Sequence, residues 1–251
     1  IFSIKNLSSG KMVRDVSFDV YEGEILGIAG LMGAGRTEST RALFGVDAKD
    51  GGTIELDGKE IFVNCPTDAI RQGVVLAPED RKKDGLCTKL SIKENIALPN
   101  LDILCNRFGI IDRKKEAAML NNAVKRLSLK MAGGDKDAAS LSGGNQQKLV
   151  VAKWLLRESR VIIFDEPTRG IDVAAKVEIY NLMNKLKQEG KGVVFVSSEL
   201  PEILGIADRI VVLCEGRVTG EMPASEATQE KILYLATRFL NKKSEKEAKA
   251  V

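Results

Sequence analysis

The segment at residues 25–44 constrains the fold of this chain more than any other, because it joins a β-strand to a helix through a glycine-rich loop. Its apolar start, ILGIA at 25–29, has the length and composition of a buried strand, and residues 36–44 have the pattern of a helix. Further apolar runs occur at residues 73–77, 161–164, 193–196 and 210–213, and a further helix is predicted at 173–188. Strands that alternate with helices in this way form parallel sheets covered on both faces. The sequence therefore predicts an α/β fold with a mostly parallel sheet.

Two other regions have a different pattern. Near the N-terminus, polar and apolar residues alternate at 2–5 and 16–20, and Asp57-Gly58 predicts a hairpin turn, so an antiparallel β subdomain is expected there. Residues 90–148 are predicted to form a helical insert, in which one apolar helix face carries Ala117, Leu120, Ala123, Val124 and Leu127. Helices are also predicted at 149–156 and 228–240. We expect a single domain at residues 1–241 and a charged, disordered tail at 242–251.

The composition excludes several classes of chemistry. The chain has no histidine, which removes Ser/His/Asp and Cys/His nucleophile systems and histidine-ligated zinc. Its four cysteines form no C-x-x-C pair, so neither a zinc site nor a redox dithiol is predicted. The formal net charge of +3 is too small to indicate nucleic-acid binding by itself. The first residue is Ile rather than Met, and we expect the chain to be a piece of a longer polypeptide.

The loop GLMGAGRT at residues 30–37 matches the phosphate-binding pattern G-x-x-x-x-G-K-[ST] except for Arg36 in place of lysine. In that pattern, backbone N–H groups surround the phosphates, the lysine reaches the β and γ phosphates, and the hydroxyl holds Mg²⁺. A guanidinium places its donors differently from an ammonium, so we expect a bound nucleotide to be poorly placed for hydrolysis. A purely structural connector is the alternative for such a loop taken alone. The predicted nucleotide-binding residues are Gly30, Gly33, Ala34, Gly35, Arg36, Thr37 and Glu38, with Thr37 as a Mg²⁺ ligand.

Two carboxylates end the apolar run VIIF at residues 161–164. Asp165 is predicted to hold Mg²⁺ through water, and Glu166 to accept a proton from an attacking water. The alternative is a solvated strand end, which the position of the pair downstream of a phosphate loop disfavours. These motifs predict a P-loop NTPase core with a mostly parallel sheet, an N-terminal antiparallel β subdomain and an inserted α-helical subdomain.

A second glycine motif, LSGGNQQK at residues 141–148, begins another predicted helix. With the phosphate loop and the acidic strand end, it makes the chain resemble the nucleotide-binding domain of an ATP-binding cassette (ABC) transporter, whose signature motif begins LSGG. The resemblance implies ATP and Mg²⁺ as cofactors and a head-to-tail dimer of cassettes. It also implies that Ser142, Gly143 and Gly144 clamp the γ-phosphate of an ATP held by the opposite cassette, with Ser142 and Gly144 counted with Asp165 and Glu166 as catalytic. A simple helix cap is the alternative for this segment.

Four segments make the resemblance specific to one group of cassettes, and they lie at residues 79–86, 142–148, 165–172 and 197–202. They are similar to the C-terminal cassette of monosaccharide importers of the ribose, galactose, xylose and arabinose type, in which one polypeptide carries two cassettes. Glu79 stands where cassettes usually place the Q-loop glutamine, and Asp172 matches the D-loop aspartate. Both are expected to contact nucleotide.

The resemblance also implies the partners and the location. The partners would be an N-terminal cassette of the same polypeptide, transmembrane permease subunits and, indirectly, a periplasmic or lipid-anchored sugar-binding protein. No nucleic-acid partner is expected. Residues 79–101 are the expected permease contact, and the chain is expected at the cytoplasmic face of the cell membrane as a peripheral protein.

The chain departs from the usual cassette pattern in its own nucleotide site. Ser198 stands where most active cassettes have a histidine that contacts the γ-phosphate, and it is also counted among the predicted nucleotide-binding residues. Residues 8–10 lack the aromatic side chain that stacks on adenine. With Arg36 and Glu79, these departures predict a degenerate site that turns over slowly or not at all. The intact LSGG segment and Asp172 are expected to complete the partner cassette's site, so the isolated chain should be weak or inactive as an ATPase.

Three other functions are compatible with parts of this pattern. The first is a nucleotide-binding regulatory or scaffold module without turnover, and the second is an importer of nucleosides rather than sugars. The third is a cytosolic cassette ATPase that acts on chromosomes or ribosomes. The third is disfavoured because the helical insert is too short for a long coiled-coil arm and the net charge is small.

Overall fold

The computed structural model describes residues 1–154, 157 and 159–239. The predicted tail at 242–251 and Leu240, the end of the last predicted helix, lie outside the described residues. The chain divides into two compact units. The sheet unit comprises Ile1–Leu76, Arg160–Glu166 and the described residues from Met183 onward, and the helical unit comprises Ala77–Ser159 and Pro167–Leu182.

The N-terminal part of the sheet unit forms an antiparallel sheet in the order β2-β1-β4-β5. Its strands are β1 (Phe2–Ser9), β2 (Val13–Val20), β4 (Gly51–Leu56) and β5 (Lys59–Ile61). Between β4 and β5, Asp57 and Gly58 both have left-handed backbone angles, φ +50° and +74°, which two-residue hairpin turns of this kind require. The predicted hairpin is confirmed.

A second sheet has six strands in the order β10-β9-β3-β8-β7-β6. The strands are β3 (Ile25–Gly30), β6 (Val74–Ala77), β7 (Val161–Asp165), β8 (Gly192–Val196), β9 (Arg209–Cys214) and β10 (Arg217–Pro223). The central strand β3 pairs in parallel with β8 and β9, and β8 pairs in parallel with β7. Every residue of β7 and β8 is buried, which explains the apolar runs at residues 161–164 and 193–196.

The sequence pattern does not anticipate β10, which pairs antiparallel with β9 at the edge of the six-stranded sheet. Only Thr219 of its seven residues is buried, so the strand has no apolar run to reveal it. The mostly parallel sheet and the antiparallel N-terminal sheet together confirm the predicted α/β class.

The helices of the sheet unit are α1 (Arg36–Phe44), α2 (Pro66–Arg71), α8 (Leu200–Ile206) and α9 (Gln229–Ala236). Those of the helical unit are α3 (Ile92–Ala97), α4 (Leu101–Leu104), α5 (Arg113–Leu127) and α6 (Gly143–Ala152). Helix α7 (Val173–Gln188) has residues in both units. One-turn helical segments occur at Arg81–Gly85, Leu98–Asn100, Ala138–Ser140 and Ala224–Glu226, the first of them π-helical. None of the described helices is both long enough and apolar enough to cross a membrane.

Two helix predictions need correction. Helix α5 buries Ala123 and Leu127 as predicted, but Ala117 is exposed, because the first turn instead buries Glu116 in an ion pair with Arg113. Helix α6 ends at Ala152, and a turn follows at residues 153 and 154, whereas the pattern predicts a helix to residue 156. Residues 155 and 156 lie outside the described part of the chain.

The core of the six-stranded sheet can be tested at Phe164 of β7, whose side chain has no exposed area. Phe164→Ala is expected to lower the free energy of unfolding by about 3–5 kcal/mol, because it removes buried apolar surface and leaves a cavity. Urea unfolding measures the change. Phe62→Ala is the matched control, since Phe62 is 68% exposed and its loss should change stability by less than about 0.5 kcal/mol. Equal losses in the two variants would show that β7 does not lie in the core.

Candidate functional site

The phosphate loop is a tight turn between β3 and α1. Gly33 and Gly35 have φ of +76° and +92°, in the left-handed region that favours glycine. A Cβ on Gly35 would overlap the carbonyl oxygen of Met12, so no other residue fits there. The N–H of Ala34 donates to the carbonyl of Leu31 at 3.0 Å. The turn presents the first N–H groups of α1, which have no partner within the helix, as an anion-binding arrangement.

Arg36, the first residue of α1, is buried and bonded to the ends of two strands. Its Nη1 donates to the carbonyl oxygen of Ser197 at 2.5 Å, just beyond β8, and its Nη2 lies 3.4 Å from Oε1 of Glu166, just beyond β7. Only 8% of Arg36 is exposed. The cation of the loop is therefore paired with a carboxylate of the protein. Glu38, also predicted to bind nucleotide, lies half-buried in the first turn of α1.

Asp165, the last residue of β7, lies against the first turns of α1. It is 1% exposed, and its two oxygens accept hydrogen bonds from Thr37 Oγ1 at 3.2 Å and Thr40 Oγ1 at 3.1 Å. Burial raises the pKa of Asp165 to about 6, an effect that the two threonine hydrogen bonds oppose and the neighbouring Glu166 carboxylate reinforces. Thr40 was not among the predicted site residues, although its position three residues after Thr37 places it on the same helix face.

The pair Thr37 and Asp165 fits the predicted magnesium site. A hydroxyl and a carboxylate are hard oxygen donors, and Mg²⁺ typically takes one or two protein ligands together with water and phosphate oxygens. Within the described residues, no cluster of three or more His, Cys, Asp and Glu side chains could hold a metal by itself. The donor set therefore suits a cation that arrives with a phosphate, and the roles of Thr37 and Asp165 stay predictions.

Glu166 is held in an unusual backbone conformation by contacts on both sides. Its φ of +46° is uncommon for a residue with a side chain, and a conformation of this kind costs about 1–3 kcal/mol. Its N–H donates to the carbonyl of Val196 at 3.0 Å. Its Oε2 accepts from Ser198 Oγ at 3.1 Å, while Oε1 faces Arg36. The fold thus brings together three predicted site residues that are distant in sequence.

The loop after β8 contains a buried pair that the sequence pattern does not reveal. Ser197 Oγ donates to Oε2 of Glu202 at 2.8 Å and accepts from the N–H of Glu199 at 3.1 Å. Ser197 is fully buried and Glu202 is 8% exposed. This network fixes the backbone that carries the Ser197 carbonyl and the Ser198 hydroxyl. A buried glutamate has to find a partner, but sequence alone does not show that Glu202 is buried.

In the helical unit, the predicted signature segment begins helix α6. Ser142 is exposed and occupies the N-cap position, where its hydroxyl accepts from Asn145 Nδ2 at 2.9 Å. A Cβ on Gly144 would lie 2.6 Å from the Cβ of Ala175 in α7, and one on Gly143 would lie 3.0 Å from Nη2 of Arg81. Close packing therefore requires Gly144, whereas a side chain at position 143 would need the tip of Arg81 to move by a few tenths of an ångström.

The two remaining predicted residues, Glu79 and Asp172, also lie in the helical unit. Asp172 is exposed, and its Oδ1 accepts from the N–H of Ala175 at 2.9 Å, which caps the start of α7. Glu79 forms an ion pair with Arg169. This ion pair lies in a charged pocket formed by Glu79, Asp80, Arg81, Lys82 and Arg169.

Comparisons with known proteins agree with this architecture. A family model described as ABC transporter matches residues 13–169. The ribose import ATP-binding protein RbsA of Bacillus subtilis (strain 168) is 53% identical, over 94% of this chain and 48% of the relative. The xylose import ATP-binding protein XylG of Thermoanaerobacter pseudethanolicus is 51% identical, over 94% of this chain and 48% of the relative. The chain spans about half the length of the curated relatives it matches.

A solved structure confirms the fold. The dimeric post-hydrolysis state of the ATP-binding cassette MJ0796, bound to ADP and Pi, has a TM-score of 0.76 to this chain. The sequences are 23% identical, and the match covers 89% of this chain and 99% of the other. The predicted P-loop NTPase fold, with its antiparallel N-terminal sheet and its helices, is thereby confirmed.

The buried carboxyl of Asp165 gives a pH-dependent prediction. Because its folded pKa of about 6 lies above the ordinary value of 3.8, the folded chain binds more protons between these values, and its stability falls as the pH rises through them. The difference corresponds to about 3 kcal/mol at neutral pH. Asp165→Asn removes the ionisation and should raise the free energy of unfolding by up to this amount at pH 7.5, with little change near pH 4.

Urea unfolding at the two pH values measures this difference. Asp19→Asn, on the exposed face of β2, is the matched control and should show the same small change at both. If Asp165→Asn instead destabilises the chain more at pH 7.5 than at pH 4, the folded chain stabilises the charged carboxylate, and burial does not raise the pKa of Asp165.

Proposed function

The chain belongs to the ABC transporter family, and we propose that it is an ATP-binding cassette whose signature segment completes the ATP site of a partner cassette. Its own phosphate site turns over slowly or not at all in this proposal. In this proposal, it is the second cassette of a tandem subunit that energises the import of a monosaccharide. The observation that carries the proposal is the buried contact of Arg36 with Glu166.

The contact opposes hydrolysis at the chain's own site in two ways. A loop lysine that is free to reach the β and γ phosphates is absent, and the guanidinium that replaces it is committed to Glu166 and the Ser197 carbonyl. Glu166 has a donor at each of its oxygens, Arg36 at one and Ser198 at the other, so an attacking water would have to share these oxygens with donors of the protein. Separating a buried ion pair leaves uncompensated charge, which makes rearrangement costly.

The helical unit has the opposite character. The hydroxyl of Ser142 is exposed, and the N–H groups that begin α6 have no partner within the helix. A ten-residue helix with Ser142, Gly143 and Gly144 at its N-terminus is suited to bind an anion. Asp172, which caps α7, completes the set that we assign to the partner's nucleotide. The dimeric state of the structurally similar cassette MJ0796, bound to ADP and Pi, supports an arrangement of two cassettes.

The two units have separate roles in the mechanism. In the sheet unit, Thr37 and Asp165 would hold Mg²⁺, which would supply positive charge to the phosphates, and the loop N–H groups would orient the phosphates of a retained ATP. In the helical unit, Ser142 and the glycine amides stabilise the charge on the γ-phosphate of the partner's ATP. Residues 79–101 contact the transmembrane permease subunits, which receive sugar from a periplasmic or lipid-anchored binding protein. The complex lies at the cytoplasmic face of the membrane.

The sugar substrate is supported by the relatives. The names of RbsA and XylG describe ribose and xylose import, and about half the length of each is matched by this chain. A regulatory module without any role in turnover is the second candidate, because the Arg36–Glu166 contact by itself fits a site that only holds nucleotide. The two candidates differ in what the signature segment does.

The trans contribution is tested at Ser142 in the tandem subunit with its permease. Ser142→Asp keeps an N-cap side chain for α6 but adds a negative charge where the γ-phosphate would bind, so the ATPase rate of the assembly should fall about 100-fold. Ser142→Asn is the matched control, since it has the same shape and caps a helix equally well without the charge. Its amide can still donate a hydrogen bond to phosphate, so it should lose much less activity than Ser142→Asp. If Ser142→Asp turns over as fast as the unmodified assembly, the regulatory module is supported and the trans contribution is excluded.

The degeneracy of the chain's own site is tested with Arg36→Lys. A lysine ammonium cannot bond Glu166 and the Ser197 carbonyl in the same fork, so it becomes available to phosphate, and the affinity for Mg²⁺–ATP should rise about tenfold. Calorimetric titration of the chain measures the affinity. Arg71→Lys makes the same exchange at an exposed position of α2 and should have no effect. Weaker binding by Arg36→Lys would mean that Arg36 itself holds the nucleotide, contrary to the proposal.

A further inference from the structure

Arg81 joins three segments of the helical unit through one guanidinium group. Its Nη1 donates to the carbonyl oxygen of Arg169 at 3.0 Å, and its Nη2 to that of Gly170 at 3.4 Å. Its Nε donates to Oε1 of Gln146 at 3.4 Å, and Gln146 is a buried residue of α6. The side chain therefore connects the π-helical turn Arg81–Gly85, the start of α6 and the loop that leads to Asp172.

The guanidinium also lies directly against the signature segment. A Cβ on Gly143 would be 3.0 Å from Nη2 of Arg81 and 3.5 Å from the carbonyl oxygen of Gly170. A side chain at position 143 would thus shift the guanidinium of Arg81, while the Gly170 carbonyl would lie at ordinary contact distance. The glycine has a packing role here in addition to the anion-binding role proposed above, because it allows Arg81 to reach past α6 to the loop.

The turn that carries Arg81 is itself attached to α6. The Asp80 carboxylate accepts from the N–H groups of Lys82 and Lys83, both at 3.0 Å, which fixes the start of the turn. At its end, the carbonyl of Gly85 accepts from Nζ of Lys153 at 2.6 Å, and a Cβ on Gly85 would lie 2.9 Å from the side chain of Val150. A displacement of the turn would therefore be passed to α6.

We propose that Arg81 is a positioning residue that holds the N-terminus of α6 and the loop before Asp172 in one arrangement, so that Ser142 and Asp172 act on the same nucleotide. The inference rests on the proposed function, because that nucleotide belongs to the partner cassette. It also gives the turn at residues 81–85 a role, since a permease that contacts the turn acts on the signature segment through Arg81. Three acceptors in different directions suit the rigid fork of a guanidinium and not the single ammonium of lysine.

The experiment uses the tandem subunit assembled with its permease. In Arg81→Lys and Arg81→Gln, turnover per bound nucleotide should fall about tenfold to a hundredfold, because the signature groups are misplaced. The KM for ATP should stay within about twofold, since the phosphate loop that binds the nucleotide lies on the other cassette. Lys125→Gln is the matched control, because it removes a positive charge at an exposed position of α5 in the same unit, outside residues 79–101, and its turnover should equal that of the unmodified assembly.

The readouts separate positioning from folding and from the proposed function. If the Arg81 variants lose bound nucleotide and thermal stability in proportion to turnover, Arg81 is only structural and the inference is overturned. It is also overturned if Lys125→Gln is as slow as the Arg81 variants. Ser142→Asp, measured separately in the same assembly, tests the proposed function. If this variant leaves turnover intact, both the proposed function and the positioning role of Arg81 fail. If it abolishes turnover while both Arg81 variants remain fast, only the positioning role fails.

Discussion

The buried contact between Arg36 and Glu166 is the interaction on which the rest of the phosphate site depends. Each residue is 8% exposed, so both charges have lost most of their hydration. Attraction between buried charges offsets such a loss only when further hydrogen bonds complete the two groups. The Ser197 carbonyl does this for the arginine and the Ser198 hydroxyl does it for the glutamate. The phosphate loop and the ends of β7 and β8 are thereby held together by one network.

The same network leaves Asp165 with partners unlike those of Glu166. Glu166 faces the Arg36 guanidinium, whereas among the described residues the side-chain donors to Asp165 are the hydroxyls of Thr37 and Thr40. Two hydroxyl hydrogen bonds do not offset full burial beside a second carboxylate, so the pKa of Asp165 is raised to about 6. A divalent cation at Thr37 and Asp165, the predicted magnesium site, would supply the positive charge that this position lacks. The folded chain therefore stores an unfavourable charge at the place where cation binding can relieve it.

Local sequence predicts much of this fold, but not the contacts of the site. The glycines of the phosphate loop and the helix after it are local signals, and α1 begins and ends where the pattern predicts. The edge strand Arg217–Pro223 has no such signal, because it buries only Thr219. Arg36 meets the Ser197 carbonyl across 161 positions of sequence, a contact that the parallel pairing of β3 with β8 creates. The sequence could therefore identify Arg36 as unusual, but only the sheet order shows that its partner is the predicted catalytic glutamate.

The two arginines of the predicted motifs have different electrostatic consequences because their acceptors differ. Arg36 bonds a carboxylate, so its charge is largely cancelled beside the N-terminus of α1. Arg81 bonds backbone carbonyls and the Gln146 amide, which are neutral, while the nearby Glu79 pairs with Arg169 instead. Its charge therefore adds to the positive end of the α6 dipole rather than cancelling against a carboxylate. Of the two helix N-termini, the one at α6 should attract a γ-phosphate more strongly, which is the asymmetry that a cassette working on its partner's ATP requires.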